Sequence, residues 1–344
     1  MSDEPYAAII GLMEVAEAIG TLREVGIYDD TRKIEPLEGD RLAIPVTEPR
    51  PVAGIEQYEA GVALTRRCNS LEDHLRSRGW TPEELDAAPN SYARIGDLIV
   101  INDPLDLRPT EVGEALLDLH GDCSGVLCID TIEGQQREPS IEHIAGESRT
   151  ETVHREHGIE YALDLSEVMF SPGNQRERVR MGNLVDTGEH VLDCCAGIGY
   201  FTLQMAAGGA TVTAVEQNPT AFDWLSHNVT RNGLDHRVDT LCGDCRDVTA
   251  TASRAVIGHL PVHDCRDDPR AFGDGYLDTA IRAVGSGWLH IHSIAWADET
   301  ELAVDLMVSR LEAREVTVET ASAHRVKGFA PSTDHLVIDV RIDS

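Results

Sequence analysis

One short stretch constrains the fold of this chain more than any other. The apolar pair Val191-Leu192 ends in Asp193, and Ala196-Gly197-Ile198-Gly199 follows before a helical pattern begins. A buried parallel strand that breaks into a glycine turn ahead of a helix gives this pattern. Gly197 and Gly199 let the backbone approach a bound molecule closely. The stretch predicts an α/β fold with a ligand at the carboxyl edge of its sheet.

A second strand supplies an acidic partner for this turn. Residues 210–215 are mostly apolar and end in Glu216, 19 residues after Gly197. At about this spacing a dinucleotide-binding fold places an acidic residue on the hydroxyls of a ribose. Thr202 stands where that fold needs a third glycine, which disfavours a pyrophosphate-bridged cofactor such as NAD. We therefore expect S-adenosylmethionine, with Glu216 as the clamp on its ribose.

A third strand ends at Gly243-Asp244, where we expect Asp244 to accept a hydrogen bond from the adenine amino group. Cys242 and Cys245 form a Cys-x-x-Cys pair, which could be a redox pair or half of a zinc site. The chain has no second such pair and no thioredoxin context, so we expect no metal here. The pair His290-x-His292 could supply two ligands, but alternate residues of a strand share a face, so it equally fits a cleft wall.

Two further segments are candidates for chemistry. Residues 170–180 contain three arginines within five positions, and forked guanidinium hydrogen bonds could hold an RNA phosphate or the carboxylate of the cofactor. A solvated helix turn is the plainer alternative. After the fourth strand comes Gly258-His259-Leu260-Pro261, where His259 is either a weak acid or base or a strand cap. His259 and Asn174 are the weak catalytic candidates, and no general base is identified.

The charge balance of the chain reflects the salt concentration of its solvent more than the charge of its binding partner. The chain has 60 acidic and 29 basic residues, a net charge of −31, and only two lysines, Lys33 and Lys327. We expect this composition of a halophilic protein, one that is dissolved in molar salt. In molar salt the Debye length falls to about 3 Å, so an acidic surface repels RNA only weakly while short arginine contacts survive.

The remaining composition indicates a cytoplasmic protein. Eight cysteines lack the spacing of a disulfide framework, which suits a reducing compartment. No run of 18 apolar residues is present and the first residues are acidic, so we expect neither a membrane span nor a signal peptide.

Proline and glycine residues mark boundaries that divide the chain into four predicted parts. We expect a small N-terminal module over 1–50 that could contact tRNA, a helical linker over 51–90, a mixed α/β module over 91–170 and the cofactor-binding domain over 171–344. Residues 5–26 and 56–78 carry helical patterns, and Thr81-Pro82-Glu83-Glu84 is a helix start. The last part predicts a doubly wound sheet, with strands near 190–193, 210–215, 238–242, 253–257, 287–292, 314–319 and 335–341.

Together these motifs resemble one family of archaeal tRNA-modifying enzymes. They are Phe170-Ser171-Pro172-Gly173-Asn174 with Arg178 and Arg180, Asp193 with Ala196-Gly197-Ile198-Gly199, Glu216-x-Asn218-Pro219, Gly243-Asp244-x-Arg246 and Gly287-x-Leu289-His290-x-His292. The family is the wybutosine-pathway aminocarboxypropyltransferases, which modify 4-demethylwyosine beside the anticodon of phenylalanine tRNA. A related branch, the tRNA guanine-N1 methyltransferases of the same position, is the alternative.

The resemblance implies a Rossmann-like class I S-adenosylmethionine-dependent transferase domain with two smaller N-terminal α+β modules, acting as a monomer. Gly173 replaces an arginine of the methyltransferase pattern, and Gly258-His259 replaces its Asn before Leu-Pro. Both differences favour the aminocarboxypropyl branch, whereas Ser253-Arg254 departs from the Asp-Arg of the family. The implied cofactor-binding residues are Ser171, Arg178, Asp193, Gly197, Gly199, Glu216, Asp244 and Cys245.

Overall fold

The computed structural model describes residues 5–102, 104–133, 138–260 and 274–343. The chain forms two compact units. The first comprises Met1–Ala88 and Leu105–Gly121, and the second comprises Pro89–Pro104 and Asp122–Ser344.

The first unit contains a four-stranded sheet in the order β2-β3-β1-β4. Its strands are β1 Tyr6–Gly11, β2 Glu35–Pro36, β3 Arg41–Val46 and β4 Tyr58–Ala60, and its helices are α1 Val15–Glu24, α2 Leu71–Ser77, α3 Pro82–Leu85 and α4 Pro109–Leu119. The helical pattern expected over 5–26 is wrong for its first part. Ala8 and Ile10 pack into one apolar cluster while Ala7 and Ile9 pack into another, so this run is a strand buried on both faces.

The helices of this unit begin where local signals place them. Thr81 accepts from the backbone of Glu84, whose side chain accepts in turn from the Thr81 amide, so the predicted helix start is confirmed. The helical pattern over 56–78 is only partly right. Tyr58–Ala60 pairs with β1, which carries the first sheet past residue 50, and the helix begins at Leu71.

The second unit contains three sheets. Strands β5 Ala93–Ile95, β6 Leu98–Ile101, β7 Gly125–Glu133 and β8 Glu138–Gly146 form one, and β9 Glu151–Glu156 pairs with β10 Ile159–Asp164 in another. The third has seven strands, β11 His190–Asp193, β12 Thr211–Glu216, β13 Val238–Cys242, β14 Arg254–Ile257, β15 Gly287–Trp296, β16 Thr317–Ala330 and β17 Thr333–Asp343. Its helices are α5 Gln175–Leu184, α6 Thr202–Ala207, α7 Pro219–Arg231, α8 Asp274–Val284 and α9 Thr300–Glu312.

The seven-stranded sheet confirms the predicted α/β, Rossmann-like architecture. Its order is β13-β12-β11-β14-β15-β17-β16. The five strands β11 to β15 pair in parallel, whereas β17 pairs antiparallel with both β15 and β16. Apolar clusters cover both faces of the sheet. The order reverses between β11 and β14, so the carboxyl ends of β11, β12 and β14 open one crevice, where such sheets bind ligands.

Within the described ranges, no helix combines the length and the apolar character that a membrane crossing requires.

Candidate active site

The glycine turn after β11 has the geometry that its sequence predicts. Gly197 has a φ of 57° and Gly199 a φ of 101°, both in the left-handed region. A Cβ at Gly197 would lie 2.3 Å from the Tyr200 ring, and one at Gly199 would lie 2.8 Å from the Leu203 side chain. Any other residue at either position would displace the loop, so both glycines are required for this close packing.

Glu216 joins the ends of the two neighbouring strands. One of its carboxylate oxygens accepts the Gly197 amide at 2.8 Å, and the other accepts the Asn218 amide at 2.8 Å. Burial raises the pKa of Glu216, while these backbone amides counteract the rise. A half-buried carboxylate held at the mouth of the crevice is suited to accept hydrogen bonds from ribose hydroxyls.

Asp193 is fully buried at the end of β11. Its Oδ2 accepts from the Thr202 hydroxyl at 2.7 Å, whereas its Oδ1 has no hydrogen-bond partner among the described residues. Burial raises the pKa of Asp193 to about 6, and the nearby charge of Glu216 adds to the effect. The backbone amides of Cys195 and Thr202 counteract this rise. Because Asp193 is inaccessible in this structure, its predicted contact with the cofactor stays a prediction.

Asp244 lies beside Glu216 at the end of β13, since the Gly243 amide donates to the Glu216 carbonyl at 2.9 Å. Its carboxylate accepts the Arg246 amide at 2.9 Å and pairs with the Arg246 guanidinium, which lowers its pKa. An adenine amino group would share this carboxylate with Arg246. Cys245 is buried, and its thiol contacts Cys194 in the core, so only its backbone could face a ligand.

The Arg178 side chain is buried in the protein interior. Its side chain is 1% exposed and forms two hydrogen bonds of 2.7 Å to the Glu156 carboxylate. A third bond of 3.0 Å reaches the carbonyl of Ser171, and the guanidinium lies over the Phe170 ring. In this arrangement Arg178 holds the Ser171 turn in place through that carbonyl. Its predicted contact with the cofactor stays a prediction.

The turn that Arg178 holds lies next to the glycine loop. The Tyr200 hydroxyl donates to the Met169 carbonyl, and the Phe170 and Tyr200 rings are 5.8 Å apart. The Ser171 hydroxyl accepts from the Lys327 ammonium at 2.5 Å, and Asn174 has a buried Oδ1 without a partner in the described structure. The structure therefore brings the Ser171 turn, the glycine loop and Glu216 together along one wall.

The histidine candidates occupy different surroundings. His259 stacks on Tyr276, with ring centroids 5.2 Å apart, directly after β14. His290 and His292 are buried on one face of β15, as alternate strand residues should be. His290 contacts Arg254 at 2.6 Å and Asp339 at 2.5 Å, so it belongs to a structural network. No group of side chains in the described ranges could hold a metal ion, and Cys265 lies outside them.

Sequence reasoning missed the polar residues of β17. His335 contacts His292 at 2.8 Å, and Asp339 pairs with Arg180 at 2.9 Å. The available signal was their alternation with the apolar residues of a buried strand, which indicates one polar face. The sequence cannot say which distant segment covers that face.

A separate cleft of about 1020 Å³ lies between β9, the β5–β6 turn and α7. Four arginines line it, and each is paired with a carboxylate: Arg94 with Asp122, Arg149 with Asp97, and both Arg155 and Arg231 with Glu160. None of the predicted cofactor residues lines this cleft, so it is distinct from the crevice.

Comparison with known proteins places this site in a family. A model of the TRM5/TYW2 methyltransferase domain matches residues 152–321, and one of the TYW2 N-terminal domain matches residues 71–150. The tRNA (guanine(37)-N(1))-methyltransferase Trm5b of Pyrococcus abyssi is 32% identical over 93% of this chain and 94% of its own. The chain belongs to the TRM5/TYW2 family.

Members of both branches are similar to this chain. The tRNA(Phe) (4-demethylwyosine(37)-C(7)) aminocarboxypropyltransferase of Methanocaldococcus jannaschii is 30% identical over 73% of this chain and 98% of its own. The crystal structure of P. horikoshii TYW2 in complex with MeSAdo matches with a TM-score of 0.65 at 28% identity, over 78% of this chain and 97% of that one. The crystal structure of Trm5b from Pyrococcus abyssi matches with a TM-score of 0.76 at 29% identity, over 98% and 99%.

The buried pair of Arg178 and Glu156 yields a test of stability. Replacing Arg178 with Met leaves the Glu156 carboxylate, 2% exposed, without its main counter-charge. Such a loss costs about 3–5 kcal/mol. We expect chemical denaturation at constant salt to show this decrease for R178M. The exposed neighbour Arg176 is the control, and R176M should unfold like the wild type. Equal stability of all three proteins would contradict the structural role of Arg178.

Glu216 yields a test of the cofactor site. Removing its carboxylate in E216A abolishes the charged acceptor offered to the ribose, so we expect the affinity for S-adenosylmethionine to fall by roughly 10- to 100-fold, as for the loss of charge-assisted hydrogen bonds. Isothermal titration calorimetry measures this directly. Q217A, a change at the exposed next residue, should bind normally. Unchanged binding by E216A would remove the ribose assignment.

Proposed function

We propose that this chain transfers the 3-amino-3-carboxypropyl group of S-adenosylmethionine to a 4-demethylwyosine-type base adjacent to the anticodon of tRNA(Phe), releasing methylthioadenosine. The observation that carries the choice of branch is that Gly173 and His259 stand where the methyltransferase pattern has an arginine and, directly before Leu-Pro, an asparagine. In that pattern these two positions provide a guanidinium and an amide. Here the Lys327 side chain passes over Gly173, and the His259 ring stacks on Tyr276.

The crevice fits the cofactor by the chemistry of its donors and acceptors. Glu216 would accept from the ribose hydroxyls and Asp244 from the adenine amino group, while the glycine loop leaves the space that the adenosyl moiety needs. Asp193 would act indirectly, since its buried carboxylate binds the Thr202 hydroxyl at the start of α6. When bound, S-adenosylmethionine supplies an electrophilic carbon attached to a positively charged sulfur.

The residues of the chain select the reaction through orientation. Three carbon substituents share the sulfonium, and the one held toward the incoming nucleophile reacts. The Ser171 turn is bonded to Arg178 and Lys327, and Met169 and Tyr200 join it to the glycine loop. With the amino-acid arm directed toward this turn, its γ-carbon, rather than the methyl group, would face the target base.

The target base must lose a proton once the new carbon–carbon bond has formed. His259 and Asn174 remain the candidates for assisting this step. Asn174 has the unpartnered buried oxygen, and His259 follows the strand that ends beside the glycine loop. Positioning and electrostatic complementarity would supply most of the acceleration.

A tRNA substrate also implies that the protein works in the cytoplasm.

Methyl transfer to the guanine of the same tRNA position is the second candidate. One observation favours it: Trm5b of Pyrococcus abyssi matches this chain over 93% of its length, whereas the M. jannaschii aminocarboxypropyltransferase matches over 73%. The share of the chain that is covered does not report which residues stand at positions 173 and 259. We therefore give more weight to the residues of the crevice.

The released nucleoside decides between the two reactions. We expect purified protein, incubated with S-adenosylmethionine and tRNA carrying 4-demethylwyosine, to produce methylthioadenosine in proportion to modified tRNA. Liquid chromatography of the nucleosides measures it, and tRNA with unmodified guanine serves as the control substrate. Formation of S-adenosylhomocysteine with that control would establish the methyltransferase instead. Binding of tRNA with no product from either substrate would exclude both reactions.

A further inference from the structure

Within the part of the chain that the structure describes, Lys327 is a cation without an acidic partner. It is one of two lysines in a chain with 60 acidic residues, yet its half-buried ammonium forms no ion pair with any described residue. Its hydrogen bond is to the neutral hydroxyl of Ser171, at 2.5 Å. Burial and the like charge of Arg178 both lower the pKa of Lys327. A half-buried charge in this position is unfavourable unless a ligand compensates it.

The neighbours of Lys327 leave this charge uncompensated. Its partner across the sheet is His335, which is buried and bonded to His292. Burial lowers the pKa of His292 to about 3 and that of His335 to about 4, so both imidazoles are uncharged at neutral pH. Glu177, which also acts on this pair, is paired with Arg180 and His324. The charge that acts on Lys327 is that of Arg178, which has the same sign.

The backbone at Gly173 leaves room for the Lys327 side chain. A Cβ at Gly173 would lie 3.0 Å from the Lys327 Cδ, so the lysine passes over a position that has no side chain. The contact crosses from β16 to the turn before α5 and brings the ammonium to Ser171. The unpartnered Oδ1 of Asn174 is buried in the same turn. A cation, a hydroxyl and an amide thus converge at one end of the crevice wall.

The wall has opposite charges at its two ends. Glu216 lies at one end, bonded to Gly197, and Tyr200 links that loop to Met169, two residues before Ser171. A ligand bound along this wall would contact the Glu216 carboxylate at one end and the Lys327 ammonium at the other. An adenosyl ligand with an amino-acid arm has the complementary order, with ribose hydroxyl donors at one end and a carboxylate at the other.

We propose that Lys327, together with Ser171, binds the carboxylate of the cofactor's amino-acid arm and so determines how that arm is oriented. The inference rests on the proposed function, because it takes an adenosyl cofactor as the ligand of the crevice. It identifies the ammonium of β16, rather than the buried guanidinium of Arg178, as the cation that meets the carboxylate.

Two ligands that differ only in the arm test this assignment. S-adenosylhomocysteine carries the amino-acid arm, methylthioadenosine lacks it, and neither has a charged sulfur. Calorimetric titration of K327M should show S-adenosylhomocysteine binding weakened by roughly 10-fold or more, as expected for a lost charged hydrogen bond, with methylthioadenosine binding within about twofold of the wild type. K327R, which keeps the charge, should recover most of the affinity. K33M, at the exposed second lysine, is the matched control and should bind both ligands normally.

The other outcomes are equally distinct. Equal weakening of both ligands in K327M, or unchanged binding of S-adenosylhomocysteine, would overturn the assignment. Loss of tRNA affinity with intact cofactor affinity would overturn it in favour of an RNA phosphate contact. If the wild-type protein bound neither ligand, the proposed function itself would fail, and that result is separable from the behaviour of K327M.

Discussion

The site depends on the pair of hydrogen bonds by which Glu216 joins the glycine loop to the start of α7. Parallel strands β11 and β12 end side by side, and the Glu216 carboxylate holds the Gly197 amide at 2.8 Å across that gap. The same loop carries Tyr200, which covers Gly197 and fixes the segment before Ser171. A single carboxylate therefore fixes the glycine loop directly and, through Tyr200, the segment before Ser171.

Charges around the crevice fall into two groups with different roles. Arg178, Arg180 and Arg254 are bonded to Glu156, Asp339 and Glu189 in the interior, where they fix α5 and the sheet relative to each other. Among the described residues, Asn174 instead keeps a buried oxygen without a partner, and Lys327 keeps a charge without an ion pair. Because buried polar groups are nearly always partnered, we interpret these two residues as candidate ligand contacts.

The glycine turn and its closeness to Glu216 could be predicted from the sequence, since strand, turn and acidic strand end lie within about 25 residues and follow from local geometry. The strands near 190–193 and 238–242 are confirmed at those bounds. The arm end could not be predicted. Lys327 and Ser171 are 156 residues apart and meet only because β16 lies against the turn before α5.

Arg178 resembled a ligand-binding arginine, but its role as a buried partner of Glu156 depends on β9, which the sequence does not place. The helical pattern over residues 5–26 misled for a related reason, because a strand buried on both faces has no alternation to reveal it.

A crystal structure of the protein with S-adenosylhomocysteine tests the central claim most directly. The account predicts the ribose hydroxyls within hydrogen-bonding distance of the Glu216 carboxylate, with the adenine toward Asp244 and the arm toward the Ser171 turn. A ligand bound elsewhere, with the crevice at the carboxyl ends of β11, β12 and β14 empty, would contradict it.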